Sequence, residues 1–457
     1  MRSDIRAVHF VGIGGSGMSA IAKVLLEMGY HVSGSDVHQS DTTYNLERLG
    51  ARVYQGHDGE NVKGVDAVVV STAIAENNAE IKAARDLNIP IFHRSEMIAE
   101  MMESKKGIAI AGAHGKTTTT SMVSLMMEKL GMDPTIIIGG ELHDIGGNAK
   151  FGSGEYIVAE ADESDGSFLK LSPRIAVVTN IENDHMDFYG TIENIVLAFK
   201  QFLAKLPDDG LAILCADNNH VRNLVKGMHK PFVTYALGND ADYTIKNLRS
   251  DGVQSLFDVY YKGSLLGEME INVPGTHNIA NSLAAVAVGR HIGLSLAEIR
   301  GALKQFRGAK RRFQTKGEVD GIWVVDDYAH HPTEINSTLL AARQTRPERL
   351  IAVFQPHRYT RTKFLREEFG KAFAAADIVI LTDIYAAGEQ PIPGISGETL
   401  VQEIEKQGRS VIYIKNREDI PAYLYTIARP GDLLMTMGAG NIWQTGEQLV
   451  EMLRARA

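Results

Sequence analysis

The stretch Ile108-Ala109-Ile110-Ala111-Gly112-Ala113-His114-Gly115-Lys116-Thr117-Thr118-Thr119-Thr120 constrains this chain more than any other. It opens as a short apolar run, the mark of a buried parallel strand. Two glycines then turn the chain into a helical pattern. Met122, Met126, Met127 and Leu130 recur at three- and four-residue spacing, and Gly131 stands at the expected C-cap. Strand, glycine turn, Lys-Thr and helix together make a phosphate cradle. Loop N–H groups and the helix N-terminus face anionic oxygens, Lys116 adds positive charge, and the Thr117 hydroxyl can hold Mg²⁺. The eight-residue P-loop pattern wants glycine where Ile110 stands, so the loop is the shorter Gly-x-x-Gly-Lys-Thr. An ordinary strand–helix turn does not account for four successive threonines, because β-branched residues are poor helix formers.

The 457 residues predict about three domains at ~150 residues each. A net charge of −9 argues against nucleic-acid binding through bulk charge, so anionic ligands need locally placed bases. The single cysteine, Cys215, excludes an internal disulfide framework and, in an apolar strand, reads as a packed thiol. No apolar run is long enough to span a bilayer and no signal peptide is read, so the expectation is a cytoplasmic protein without membrane insertion.

The first segment begins with strand 7–11 and the turn Gly12-Ile13-Gly14-Gly15-Ser16-Gly17. A helical stripe through Ile21, Val24, Leu25 and Met28 follows, then a second strand ending in Ser35-Asp36. This is the G-x-G-x-x-G turn of a βαβ unit with an acid closing the second strand, and it predicts a Rossmann-like site for a nucleotide diphosphate. On this motif alone the ligand could be NAD, with Asp36 on a ribose hydroxyl. Loops Ser71-Thr72-Ala73 and His93-Arg94 also follow strands, at the edge where open α/β sheets bind ligands. Residues 103–107 read as a polar linker.

In the central segment, strand 156–159 ends in Glu160-Ala-Asp162-Glu163-Ser-Asp165. Four acids in six residues repel one another unless a cation lies nearby, and in a nucleotide enzyme the first of them is the expected Mg²⁺ ligand. His185, flanked by Asp184 and Asp187 after another strand, fits a second metal or a phosphate contact. Residues 211–273 read as strand and turn. A helix then opens with His277 and Asn278 and carries Asn281, positions suited to an adenine edge, with Thr276 as an alternative simple cap. Lys310-Arg311-Arg312 is a local basic cluster. In the third segment, Tyr328, His330-His331 and Arg358/Arg361 each follow a strand. The arginines suit a carboxylate or phosphate, and the His pair lacks a third ligand at zinc-site spacing.

In this order, the two glycine loops, Glu160–Asp165, Asn183-Asp184-His185-Met186-Asp187, Asp327-Tyr328-Ala-His330-His331-Pro332 and Gln355-Pro-His357-Arg358-Tyr359 resemble the Mur ligases over nearly the whole chain. The resemblance implies an α/β protein of three domains: Rossmann-like UDP-sugar-binding 1–106, central P-loop ATPase-type mixed α/β 107–313, and Rossmann-like amino-acid-binding 314–457. It implies a carboxylate–amine ligase of peptidoglycan precursor synthesis, with UDP-N-acetylmuramate, L-alanine and ATP as substrates. Two Mg²⁺ ions, replaceable by Mn²⁺, would assist. No nucleic-acid partner is implied, and a monomer and a dimer remain open.

By the same resemblance, Gly112, Ala113, His114, Gly115, Lys116, Thr117 and Thr118 hold ATP, with His277, Asn278, Asn281 and Tyr328 on the adenine side and Arg312 on a phosphate. Thr117 and Glu160 hold one metal ion and His185 a second. Gly12, Gly14, Gly15, Ser16, Gly17, Ser35, Asp36, Ser71, Thr72 and Ala73 face the UDP-sugar. His331, Arg358 and Arg361 take alanine, and Lys116, His185, His331 and Arg358 act in catalysis. Relatives carry a carbamylated lysine near the second metal, for which Lys200 is the only nearby candidate. Three competing readings are a recycling ligase that adds a preformed tripeptide to the same sugar, an NAD-dependent oxidoreductase, and a non-catalytic nucleotide-binding scaffold.

Overall fold

The strand Ala7–Val11 sits in the middle of a five-stranded parallel sheet, between His31–Asp36 on one side and Ala67–Val70 on the other. Arg52–Gln55 and Ile91–His93 form the two edges. The chain therefore leaves the central strand in both directions, and the loops after Val11 and Val70 face each other across the switch point where open α/β sheets bind ligands. The computed structural model describes residues 5–456, apart from the side chains of His143 and Asp187. Residues 1–4 and 457, the outermost of the expected first and third domains, lie outside it.

A second sheet contains Lys106–Ala111 between Ile175–Val178 and Tyr156–Glu160, all parallel. It extends through Thr135–Leu142 and Gly147–Lys150 on one side, and through Leu211–Cys215 and Phe232–Tyr235 on the other. Three strands follow in the chain, Tyr243–Asp251, Gln254–Tyr261 and Ser264–Ile271, as the alternating pattern predicts. The third sheet orders its strands Gln314–Val319, Ile322–Asp327, Asp432–Met437, Arg349–Phe354, Ile378–Leu381 and Val411–Tyr413. Its first pair is antiparallel and the rest are parallel.

The backbone divides into two units. One holds the chain up to Asn247 with Phe257–Met269 and Ala280–Phe306; the other holds Leu248–Leu256, Glu270–Ile279 and the chain from Arg307. The first two sheets thus share a unit. One reason is that the expected linker at 103–107 hardly exists: the helix Arg94–Glu103 is followed almost at once by the strand from Lys106. A single apolar cluster joins Val8, Phe10 and Met101 to Ala109 and Ala159.

The helix Lys116–Lys129 corrects another expectation. The methionine spacing predicts one buried face, yet every residue from Thr117 to Met127 is buried. The helix is enclosed on all sides, and a Cβ on Gly289 would lie 2.9 Å from Met126 Sδ and 2.8 Å from Ile299. Burial explains the threonines. Their methyls pack into the core, and Thr120 returns its hydroxyl to Lys116 O at 2.8 Å.

Candidate active site

Gly112 and Gly115 carry φ values of 135° and 80°, a region that disfavours side chains. A Cβ at Gly112 would meet Thr179 Oγ1 at 2.1 Å. That hydroxyl is needed where it is, since it donates to His114 O at 2.6 Å. Asn180 completes the frame: its Oδ1 accepts the His114 N–H at 2.8 Å, and its Nδ2 donates to His114 O at 2.9 Å. The loop is thus cast against the end of the neighbouring strand. A Cβ at Gly115 would meet Asn281 Oδ1 at 2.6 Å, which puts one predicted adenine-side residue beside the loop.

Lys116 Nζ donates to Gly112 O at 2.5 Å and to Glu163 Oε1 at 2.8 Å. Burial opposes its charge, but Glu163, Asp162 and Glu160 outweigh burial and raise its pKa. Thr117 Oγ1 donates to Glu160 at 3.1 Å, and Gly139 N–H donates to the same carboxylate at 2.8 Å. Neighbouring hydroxyl and carboxylate oxygens are the hard donors that Mg²⁺ prefers. His185 stands in the left-handed region at φ 55°, with Nε2 3.7 Å from Glu163 Oε1 and 3.7 Å from Asp184 Oδ2. Glu163 Oε2 is buried with no hydrogen-bond partner. Two carboxylates, one of them with an orphaned buried oxygen, and an imidazole also fit a divalent cation. Glu163 belongs to the acidic run the sequence reveals, but no spacing rule picks it as the partner of Lys116. Lys200 is exposed on the helix Ile192–Ala204, and no contact places it in this group.

At the first sheet, Gly12 N–H and Ile13 N–H donate to Ser35 O at 2.8 and 2.9 Å. Asp36 Oδ2 accepts the Gly14 N–H at 2.9 Å. Asp36 therefore spends one carboxylate oxygen on holding the loop. Ser35 is fully buried: its hydroxyl donates to Glu80 Oε2 at 2.6 Å, so its side chain supports the loop from below and does not line it. Glu80 is the residue sequence reasoning missed. It is fully buried, accepts from Asn61 Nδ2 at 2.7 Å, and lies 3.1 Å from His57 Nδ1 and 3.3 Å from His9 Nε2. Burial works against its ionisation, yet hydrogen bonds from His9, Ser35 and Asn61 bring its pKa down to about 2. Thr72 Oγ1 donates to Asp165 Oδ2 at 3.0 Å, tying this sheet edge to the acidic run.

The other unit holds the remaining predicted residues. Burial first, then Arg312, lowers the His277 pKa to about 4, so its ring is neutral. Arg311 and Arg312 both lie over the Tyr328 ring, at 4.9 and 5.3 Å. They differ in duty. Arg311 Nε donates to Asp326 Oδ2 at 2.9 Å and Nη1 to Gly440 O at 3.0 Å, a clamp between strand ends, whereas Arg312 is the one that influences His277. His331 caps the helix Pro332–Gln344, its Nδ1 accepting the Thr333 N–H at 3.3 Å. Arg358 has φ 70° and opens the helix Tyr359–Phe364; Arg361 Nη1 lies 3.4 Å from His357 Nδ1. Glu389, unmarked in the sequence, accepts from Thr360 N–H at 3.0 Å and Thr360 Oγ1 at 2.5 Å, with Arg358 Nε 3.9 Å away.

Residues 7–106 match the Mur ligase family catalytic domain, 110–289 the Mur ligase middle domain, and 311–440 the Mur ligase glutamate ligase domain. The chain belongs to the Mur ligase family. This Mur ligase is 57% identical over 451 residues to the UDP-N-acetylmuramate–L-alanine ligase of Pelotomaculum thermopropionicum, covering 98% of each chain. It is 54% identical to the enzyme of that name from Geotalea daltonii, over 99% of each. Among solved structures it is similar to the UDP-N-acetylmuramate–alanine ligase of Thermotoga maritima, with TM-score 0.84 and 29% identity over 99% of this chain and 100% of that one. It also resembles a murein peptide ligase from Psychrobacter arcticus, with TM-score 0.72 and 26% identity over 98% of each chain. Membership in this family removes the NAD-dependent oxidoreductase reading, which had no use for the Lys116 loop or the acids around it. Among the described residues, no helix of this Mur ligase is long and apolar enough to cross a membrane.

Proposed function

We propose that this Mur ligase joins the amine of L-alanine to the carboxylate of UDP-N-acetylmuramate at the expense of ATP, a step of peptidoglycan precursor synthesis. The observation that carries the reading is the end-to-end 57% identity with a relative of that name.

The chemistry follows from the loops. A carboxylate is a poor electrophile, so it must first be activated. The muramyl carboxylate attacks the γ-phosphorus of ATP, ADP leaves, and an acyl phosphate forms. The alanine amine then attacks the acyl carbon, loses a proton, and phosphate departs from the tetrahedral intermediate. Residues 112–118 cradle the phosphates with N–H groups, and Lys116 stabilises the charge that gathers on the transferred group. Thr117 and Glu160 would hold one Mg²⁺ and His185 would help to hold a second; when bound, these ions neutralise phosphate charge. His277, Asn278, Asn281 and Tyr328 receive the adenine side, and Arg312 a phosphate. Residues 12–17 and 71–73 hold the UDP-sugar, with Ser35 and Asp36 fixing the loop. Arg358 and Arg361 grip the alanine carboxylate beside His331. We assign the three domains to 1–106, 107–313 and 314–457.

The test is an ADP-release assay with UDP-N-acetylmuramate fixed and the amine varied. L-alanine should support turnover. Turnover with the preformed tripeptide and none with alanine would favour the recycling ligase.

A further inference from the structure

Arg94 stands where a cation is electrostatically misplaced. It is the first residue of the helix Arg94–Glu103, next to that helix's positive end. It also lies against a second helix N-terminus: a Cβ on Gly17, in the first turn of Ser16–Glu27, would sit 2.9 Å from Arg94 Nη1. That first turn carries no acid. Glu96, the acid in the first turn of Arg94's own helix, accepts the His93 N–H at 2.6 Å and pairs with Lys170 at 3.0 Å. By helix geometry, the N–H groups of Ser16, Gly17 and Met18 point out of their turn at its N-terminal end. A guanidinium and two helix dipoles of one sign converge, and such a group needs an anion.

The structure shows which kind of anion it grips. Arg94 Nη2 donates to Asp162 Oδ2 at 2.7 Å, with Asp165 Oδ2 3.9 Å away. Asp165 is held in turn by Thr72 Oγ1. Both carboxylates come from the acidic run that follows Glu160. Asp162 reaches the guanidinium through one oxygen, Oδ2, as a phosphate oxygen would, because the charged N–H donors of arginine take carboxylate and phosphate oxygens alike.

We infer that Arg94 is a diphosphate-binding residue of the UDP-sugar site, and that the diphosphate takes the place of Asp162 on its guanidinium. The inference rests on reading residues 12–17 as the UDP-sugar loop. It adds a cation beside a loop whose own residues, 12–17, carry none, and it links occupancy of the first sheet to the acidic run beside Lys116.

Isothermal titration of the full chain with UDP-N-acetylmuramate, uridine and ADP tests it on the wild type, Arg94→Ala and Arg94→Lys. Arg94→Ala should weaken the UDP-sugar at least ~10-fold, the discrimination expected of a charged hydrogen bond, while ADP and phosphate-free uridine bind as in the wild type. Arg94→Lys should recover part of the loss. UDP-sugar affinity within twofold of wild type in Arg94→Ala, with only the melting temperature lowered, would make Arg94 a structural bridge and overturn the inference. If Arg94→Ala loses ADP binding as well, its fold has failed and Arg94→Gln, titrated in the same way, decides: UDP-sugar affinity within twofold of wild type, with ADP binding intact, overturns the assignment. A wild type that binds ADP but not the UDP-sugar would instead refute the reading of residues 12–17, and the inference with it.

Discussion

The Lys116 ammonium and the Glu163 carboxylate meet at 2.8 Å, and both groups are largely removed from water. The cation of the glycine loop is therefore held by an acid from the loop that follows the neighbouring strand. A buried pair of this kind is costly to break from one side.

Lys116→Met should remove the charge and leave Glu163 buried alone. ADP release should fall ~10²–10³-fold or more, the loss seen when a transition-state donor is removed. Urea unfolding should show about 3 kcal/mol of lost stability. Adding Glu163→Gln should restore most of that stability and none of the turnover. Recovered turnover in the double variant would show that the charge at 116 is dispensable.

Gly112→Ala tests the loop frame. The new methyl would force Thr179 Oγ1 off His114 O. ADP affinity, read by calorimetry, should drop at least ~10-fold, because the N–H groups of the cradle shift with the loop. UDP-sugar binding should persist, since the residues 12–17 lie on a different sheet.

Glu80 should make the first sheet acid-sensitive. Its pKa falls from 4.5 unfolded to about 2 folded, so its contribution is fully present above about pH 4.5 and is lost as pH falls toward 2. The shift corresponds to about 3 kcal/mol. The stability gap between wild type and Glu80→Gln in urea should therefore be large at pH 7 and shrink between pH 4.5 and 2. A gap independent of pH would mean that the carboxylate charge contributes nothing.

Asp327 predicts the opposite slope. Burial raises its pKa from 3.8 to about 6, against Arg312 and the N–H groups of Phe313 and Ala329. The folded state then binds more protons than the unfolded one between pH 3.8 and 6, so stability drops as pH rises through that window. In thermal unfolding followed from pH 4 to 7, Asp327→Asn should flatten this part of the profile. An unchanged slope would place its origin elsewhere.

Glu389→Gln should act on alanine alone. Glu389 anchors Thr360 in the first turn of the helix that follows Arg358. Loosening that turn should raise the KM for L-alanine ~10-fold, with the KM for ATP unchanged. Equal effects on both would deny it a local role.

Much of this site was legible because ligand-binding loops follow strands, and strands announce themselves. The residues 108–111, 156–159, 175–178, 322–326 and 350–354 read as apolar runs, and each is followed by the polar cluster that the structure puts at a sheet edge. The linker at 103–107 was misread because polar composition marks exposure, and Lys106 is an exposed residue of a strand. The helix Lys116–Lys129 was misread because periodicity sees one apolar face and cannot see that small threonines and serines also pack.

The chain's own sequence determined the two glycine loops, the order of the acidic and basic motifs, and so the kind of chemistry at each strand end. These are local facts, set by steric limits on φ and by periods of two and 3.6 residues. Tertiary structure alone decided which charges meet. Glu163 finds Lys116 across 47 positions, Glu80 finds Ser35 across 45, and Arg94 finds Asp162 across 68. Those pairings depend on strand order and on what burial does to an unpartnered charge, and neither is written in the spacing of residues along the chain.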